Sequence, residues 1–326
     1  MIITKSPLRV SFLGGGSDLP SYFHQKDGLC ISTTIDSHIY LAIHKCVAKH
    51  LKIIYSKLEL EEDVNNIDHD RVRESLKYFD ILSNIEMCSF SNMTVKGTGL
   101  GSSSTFTVGL VNALYYIKYG QHIPKKTLAN LAAYIEIDKC EAPIGLQDQY
   151  AAAYGGFNTY RFKKNEVEVE PVKIHPYNLL DLEDSLLFYN TNVERNSSTI
   201  LDQQNKDIKN GDTLESMNEI VCIAEEGLKV LQNNNVKIKK FGKLLDDAWQ
   251  IKRKLSNVSN EYIDDMYETA IKAGALGGKL LGAGGGGFLM IFTSLNKKGK
   301  VKEAMKHFER RKFYFTKDGS ILENIN

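Results

Sequence analysis

Gly97-Thr98-Gly99-Leu100-Gly101-Ser102-Ser103-Ser104 runs straight into Phe106, Leu110, Leu114 and Ile117, apolar residues at helical spacing that stop at Gly120. Glycine admits positive φ and lets a backbone come close to a ligand. A helix N-terminus adds unpaired N–H groups and the positive end of a dipole. The stretch therefore predicts an anion site at a helix start, with serine hydroxyls to bond phosphate or ligate Mg²⁺. It is not a Walker A loop, because no Lys-Ser/Thr follows the last glycine, and no GxxxxGK[ST] occurs elsewhere.

Two more glycine-rich stretches flank it. Gly14-Gly15-Gly16-Ser17-Asp18 follows a strand predicted from the alternation of Leu8, Val10 and Phe12. Residues 282–287 precede a strand over 288–292. That second run enters a strand rather than a helix, so it is no dinucleotide-binding fingerprint. One such loop is usually a plain turn; three in one chain point to a ligand.

Other elements follow from periodicity. Residues 39–44 and 51–55 read as strands, and Leu128, Leu131, Ala132 and Ile135 form a helix face after Pro124. Leu214, Met217, Val221, Ala224, Leu228 and Leu231 predict a long amphipathic helix. Phe241 to Leu255 predicts another, and a third ends near Ala273. A helix over 301–308 and a final hairpin turning at Lys317-Asp318-Gly319 close the chain. The mixed order predicts two α+β domains, 1–170 and 171–326, divided in the polar stretch 163–182.

Composition narrows the function. The chain has 326 residues, 42% hydrophobic and 25% charged, as in a soluble globular protein. A formal net charge of +1 speaks against a nucleic-acid partner, so any basic phosphate site must be local. Five scattered cysteines without a CxxC pair predict reduced thiols in a cytoplasm, and neither a disulfide framework nor a zinc site. The N-terminus reads as a strand rather than a signal peptide, and no apolar run approaches the roughly 20 residues of a membrane span.

The glycine-serine loop resembles the G-L-x-S-S-[AS] signature of the GHMP kinases. Residues 6–18 resemble that family's first motif and residues 279–287 its third, in the right order, so the resemblance covers nearly the whole chain. Within the family, PLRVSFLGGGSDLPSYF, PIGLQDQYAAAYGGFN and GGKLLGAGGGGF look like the D-glycero-D-manno-heptose 7-phosphate kinases. Galactokinases carry His-Thr-Asp after motif one where Gly16-Ser17-Asp18 stands here, which disfavours galactose. The implied fold has an N-terminal domain like domain two of ribosomal protein S5 and a ferredoxin-like C-terminal domain. The implied partners are ATP with Mg²⁺ and a small sugar phosphate, with no nucleic acid and no membrane; a homodimer is left open. The implied reaction is phosphorylation of the anomeric hydroxyl of a heptose 7-phosphate for surface polysaccharide. Kinases of fucose, arabinose or mannose are the nearest alternatives, and a non-catalytic sensor of the same fold a remoter one.

The resemblance also implies roles residue by residue. Asp148 matches the aspartate beside the reacting hydroxyl and would accept its proton; read as a bare residue it could equally cap a helix. Arg9, which points away from Leu8 and Val10, matches an arginine near the transferred phosphoryl group and the catalytic aspartate, where it would keep Asp148 ionised; a surface ion pair is its plain reading. Gly97, Gly99, Leu100, Gly101, Ser102, Ser103 and Ser104 would bind ATP. Ser103 and Glu136 would ligate Mg²⁺, with Ser104 and Asp138 as competitors. Gly16, Ser17, Asp18 and Gly284 would contact the sugar. Arg195 would grip its phosphate, or be a solvated loop residue. Lys279 is a weaker candidate for a phosphate contact.

Overall fold

Leu8, Val10 and Phe12 lie on one side of strand β1 (Ile2–Leu13) and Arg9 and Ser11 on the other, and residues 6–13 are all buried. A strand buried on both faces belongs in the middle of a sheet. The computed structural model, which describes residues 1–93, 97–193, 197–233, 238–255 and 258–325, puts it there. β1 lies between β13 (Ile321–Asn324) and the long β2 (Gly28–Lys45). One half of β2 pairs with β5 (Ile85–Ser91), beyond which come β3 (Leu51–Ile54) and β4 (Leu58–Glu61). The other half pairs with β6 (Phe157–Lys163), itself paired with β7 (Glu166–Pro171). A smaller antiparallel sheet runs β11 (Arg310–Arg311), β8 (Leu186–Asn190), β10 (Phe288–Phe292), β9 (Gly277–Leu280).

Helices pack around the two sheets. The short α1 (Pro20–Phe23) and α2 (Asp70–Tyr78) precede α3 (Ser102–Tyr119), α4 (Lys125–Tyr134) and α5 (Gln147–Tyr154). A π-helical turn, Ile135–Lys139, extends α4. α6 (Pro176–Asp184), α7 (Ser197–Asn210), α8 (Leu214–Gln232), α9 (Ile238–Lys252), α10 (Glu261–Lys272) and α11 (Lys298–Ala304) complete the chain. α3 lies between the large sheet and α2, α4 and α5, so residues 104–114 are buried all round rather than along one stripe. Gly120, at φ 67°, ends it as predicted. The ring of Phe12 meets Phe157 at 5.5 Å and Phe241 at 6.0 Å, and Phe241 meets Phe292 at 6.0 Å. One apolar core thus joins the large sheet, α9 and the small sheet.

The chain end departs from expectation. Residues 317–319 have no regular structure, and β12 (Phe315–Thr316) pairs with β2 and β13 with β1, so no terminal hairpin forms. Both strands find open edges on the large sheet, and Ser320 N–H bonds the Ala152 carbonyl at 2.8 Å. The segment expected as a separate 171–326 unit therefore lends its last strands to the N-terminal sheet. The late helix occupies Lys298–Ala304 rather than 301–308. No described helix is long and apolar enough to cross a membrane.

Candidate active site

The three glycine-rich loops converge. Together with β1, the start of α5, the end of α9 and β9 they line a cavity of about 340 Å³. Among the described residues its charged lining is Arg9, Arg71, Lys252 and Lys279 against Asp18 and Asp148. A protein of near-zero net charge has concentrated cations here, as anionic ligands require.

Arg9 and Asp148 form its centre. β1 changes register against β2 between Pro7 and Arg9, with the extra residues in β2. Arg9 Nε donates to Asp148 Oδ1 at 2.8 Å and Nη2 to Oδ2 at 2.8 Å, a bidentate pair across 139 residues of sequence. Arg9 Nη1 donates to the Gly99 carbonyl at 2.6 Å and ties the pair to the phosphate-loop candidate. The Arg9 side chain is 6% exposed and that of Asp148 26%, so the carboxylate is the open end of the pair. Each carboxylate oxygen keeps a lone pair for an incoming hydroxyl. Burial pushes the Asp148 carboxyl above its ordinary value; Arg9 opposes this, while Asp18 and Glu136 add to it.

The second and third loops touch backbone to backbone. A Cβ on Gly99, at φ +73°, would overlap the Leu281 carbonyl, and one on Gly282 would stand 2.7 Å from Gly99 Cα. Phe288 N–H bonds the Thr98 carbonyl at 3.0 Å. Gly99→Ala is therefore expected to cost at least about 2 kcal/mol in urea denaturation and to weaken ATP binding. An unchanged midpoint would show that the loops separate freely. Gly101 begins α3 at φ 76°, and Ser102, Ser103 and Ser104 line the cavity from the first turn of that 18-residue helix.

The other expected residues divide. Gly16, Asp18, Gly97 and Gly284 line the cavity. Asp18 also accepts from Gly16 N–H at 3.0 Å and Gln147 N–H at 3.2 Å, fastening the first loop to the start of α5. Ser17 and Leu100 do not reach the cavity. Ser17 is fully buried with its hydroxyl on the Leu29 backbone, and Leu100 enters the core while its carbonyl accepts from Arg9 N–H. Arg195 lies outside the described residues.

Glu136 is fully buried and does not line the cavity. One oxygen accepts from Arg71 Nε at 2.8 Å and the other from Gln149 Nε2 at 2.6 Å, and it is Arg71 that faces the opening. With Arg71 in front of it, Glu136 as placed offers a metal ion no open face on the cavity. Asp138, the competing candidate, is likewise absent from the lining; the Ser103 hydroxyl remains on it.

Three lining side chains carried no distinctive signal in the sequence. Arg71 comes from α2, a helix without a recognised motif. Gln147 exchanges hydrogen bonds with Ser11 at 2.9 and 3.2 Å. Lys252 ends α9, where the apolar stripe drew the reading. Lys252 and Lys279 are 8% and 6% exposed, and burial lowers both ammonium groups, Lys279 well below its usual value with Lys252 adding to the shift.

Comparison with known proteins agrees with this geometry. The GHMP kinases N terminal domain profile matches residues 42–156, and the GHMP kinases C terminal profile residues 235–310. The chain is 30% identical to a D-glycero-alpha-D-manno-heptose 7-phosphate kinase of Campylobacter jejuni, over 98% of this chain and 97% of that protein. It is 23% identical to a galactokinase of Thermotoga maritima, over 95% and 94%. The fold matches the crystal structure of a D-glycero-D-manno-heptose 1-phosphate kinase of Bacteroides thetaiotaomicron, with TM-score 0.81, 24% identity and full coverage of both chains. Three converging glycine loops around a bidentate Arg–Asp pair, both family profiles and a full-length relative lead to one assignment: the chain belongs to the GHMP kinases and is a sugar kinase of that family.

Proposed function

We propose that the protein transfers the γ-phosphoryl group of ATP to the C1 hydroxyl of D-glycero-D-manno-heptose 7-phosphate, giving the 1,7-bisphosphate. The observation that carries this reading is the open Asp148 carboxylate, held by Arg9 beside the phosphate loop in a cavity with surplus positive charge. The anomeric oxygen attacks phosphorus in line, its proton passes to Asp148, and the bond to the ADP oxygen breaks. Arg9 holds the carboxylate in place and lies where charge builds on the transferring group. N–H groups of the first turn of α3 and the Ser102 and Ser103 hydroxyls receive the nucleotide phosphates. ATP as donor makes the cytoplasm the place of action. The 7-phosphate is supported by the substrate for which the 30% identical relative is named and by the cationic lining.

A panel of acceptors tests the substrate. Heptose 7-phosphate is expected to exceed free heptose, mannose, fucose and galactose in kcat/KM by about 100-fold, the worth of a charge-assisted phosphate contact. Equal activity on free mannose would remove the sugar phosphate from the account and leave a kinase of unphosphorylated sugars.

A further inference from the structure

We infer that Lys252 and Lys279 form the subsite for the phosphomonoester already present on the acceptor sugar. This inference rests on the reading above that the acceptor is a sugar phosphate.

The two lysines come from different elements, α9 and β9, and meet at one point. A Cβ built on Gly15 would stand 3.6 Å from Lys252 Nζ, 3.6 Å from Ser11 Oγ and 3.8 Å from Lys279 Nζ. Glycine at that position keeps the space open. Both lysines line the cavity although their residues are nine-tenths buried. Lys252 Nζ has one hydrogen bond, 3.3 Å to the Gly15 carbonyl, and neither ammonium has an ion-pair partner among the described residues. Two ammonium groups side by side, with the Asp18 carboxylate acting on both but paired to neither, are costly in a folded protein unless a ligand brings a further anion. A phosphomonoester dianion supplies two negative charges and three acceptor oxygens for the two ammonium groups.

Position separates this subsite from the nucleotide. Arg9 touches the Gly99 carbonyl of the phosphate loop. Ser11 lies two residues further along the same face of β1, about 7 Å at the rise of a strand. Gly15 and the two ammonium groups gather beside Ser11. An acceptor with its C1 hydroxyl at Asp148 would direct its far end toward this pair.

The experiment compares acceptors in Lys252→Met and Lys279→Met. Methionine keeps the length of the side chain and removes a buried charge, so thermal midpoints should be equal to wild type or higher. For each protein one measures kcat/KM with heptose 7-phosphate, kcat/KM with free heptose, and KM for ATP. Wild type should prefer the phosphorylated acceptor, and each variant should lose that preference by at least about 30-fold, with a smaller change in the ATP constant. A preserved preference in both folded variants would overturn the subsite while leaving the sugar-phosphate reading intact. A loss that appears in the ATP constant and equally with both acceptors would assign the lysines to the nucleotide phosphates and overturn it too. No preference in wild type would overturn the substrate reading, and the subsite with it.

Discussion

Asp148→Asn is expected to lower kcat by about 10²- to 10⁴-fold, the usual worth of a general base, while ATP affinity stays within about threefold. The substitution keeps shape and removes the proton acceptor. Its two strongest hydrogen bonds, both from Arg9, can be kept by the asparagine carbonyl oxygen in part, so the pocket should hold its shape. The pH profile gives a second readout. A base works only when ionised, and burial raises this carboxyl, so wild-type kcat/KM should fall on acidification at a pH above the ordinary aspartate value. That acid limb should vanish from the residual activity of the asparagine variant. Turnover unchanged in Asp148→Asn would remove it as base.

Arg9→Met is the other large effect. It deletes the bidentate pair to Asp148, the tie to the Gly99 carbonyl and the cation nearest the transferring group. Loss of a preorganised charge at the transition state lowers kcat by about 10²- to 10³-fold. Stability should fall as well, since one partner of a buried pair remains. The cost is about 3 kcal/mol, the low end for such a deletion, because the carboxylate is partly open to the cavity. Arg9 holds the Asp148 carboxyl down against burial, so its removal should move the acid limb to still higher pH. Arg9→Lys restores the charge but not the fork, and should recover stability better than turnover. Denaturation midpoints with pH–rate profiles check both statements. An acid limb that does not move would mean the pair is not coupled.

How much was legible in advance follows from the range of each interaction. The phosphate loop, its helix and the strand of Leu8, Val10 and Phe12 announced themselves through local chemistry: glycine, serine and periodicity within about 20 residues. Asp148 and Arg9 stood out through motif resemblance, which also implies that they are neighbours; the bidentate geometry of a pair 139 residues apart is what the fold adds. Lys252 was hidden because a helical stripe of Phe241, Leu245 and Ala248 explains its neighbourhood without it. Glu136 shows the converse. Its place beside Leu131 and Ile135 rightly suggested an inward direction, but not that Arg71, 65 residues earlier, would occupy its oxygens. The terminal strands looked like a hairpin because turn chemistry is local, whereas the open edges of β1 and β2 that capture them are not.

The most direct test of the central claim is to identify the bond made. Purified protein, ATP and D-glycero-D-manno-heptose 7-phosphate are incubated, and the product is examined by phosphorus NMR. The account predicts two phosphate resonances on one sugar. One is the original 7-phosphate. The other is coupled to the anomeric proton and lost on mild acid hydrolysis, as a glycosyl phosphate must be. A new phosphate that survives acid, or none with this acceptor while free sugars react, would contradict it.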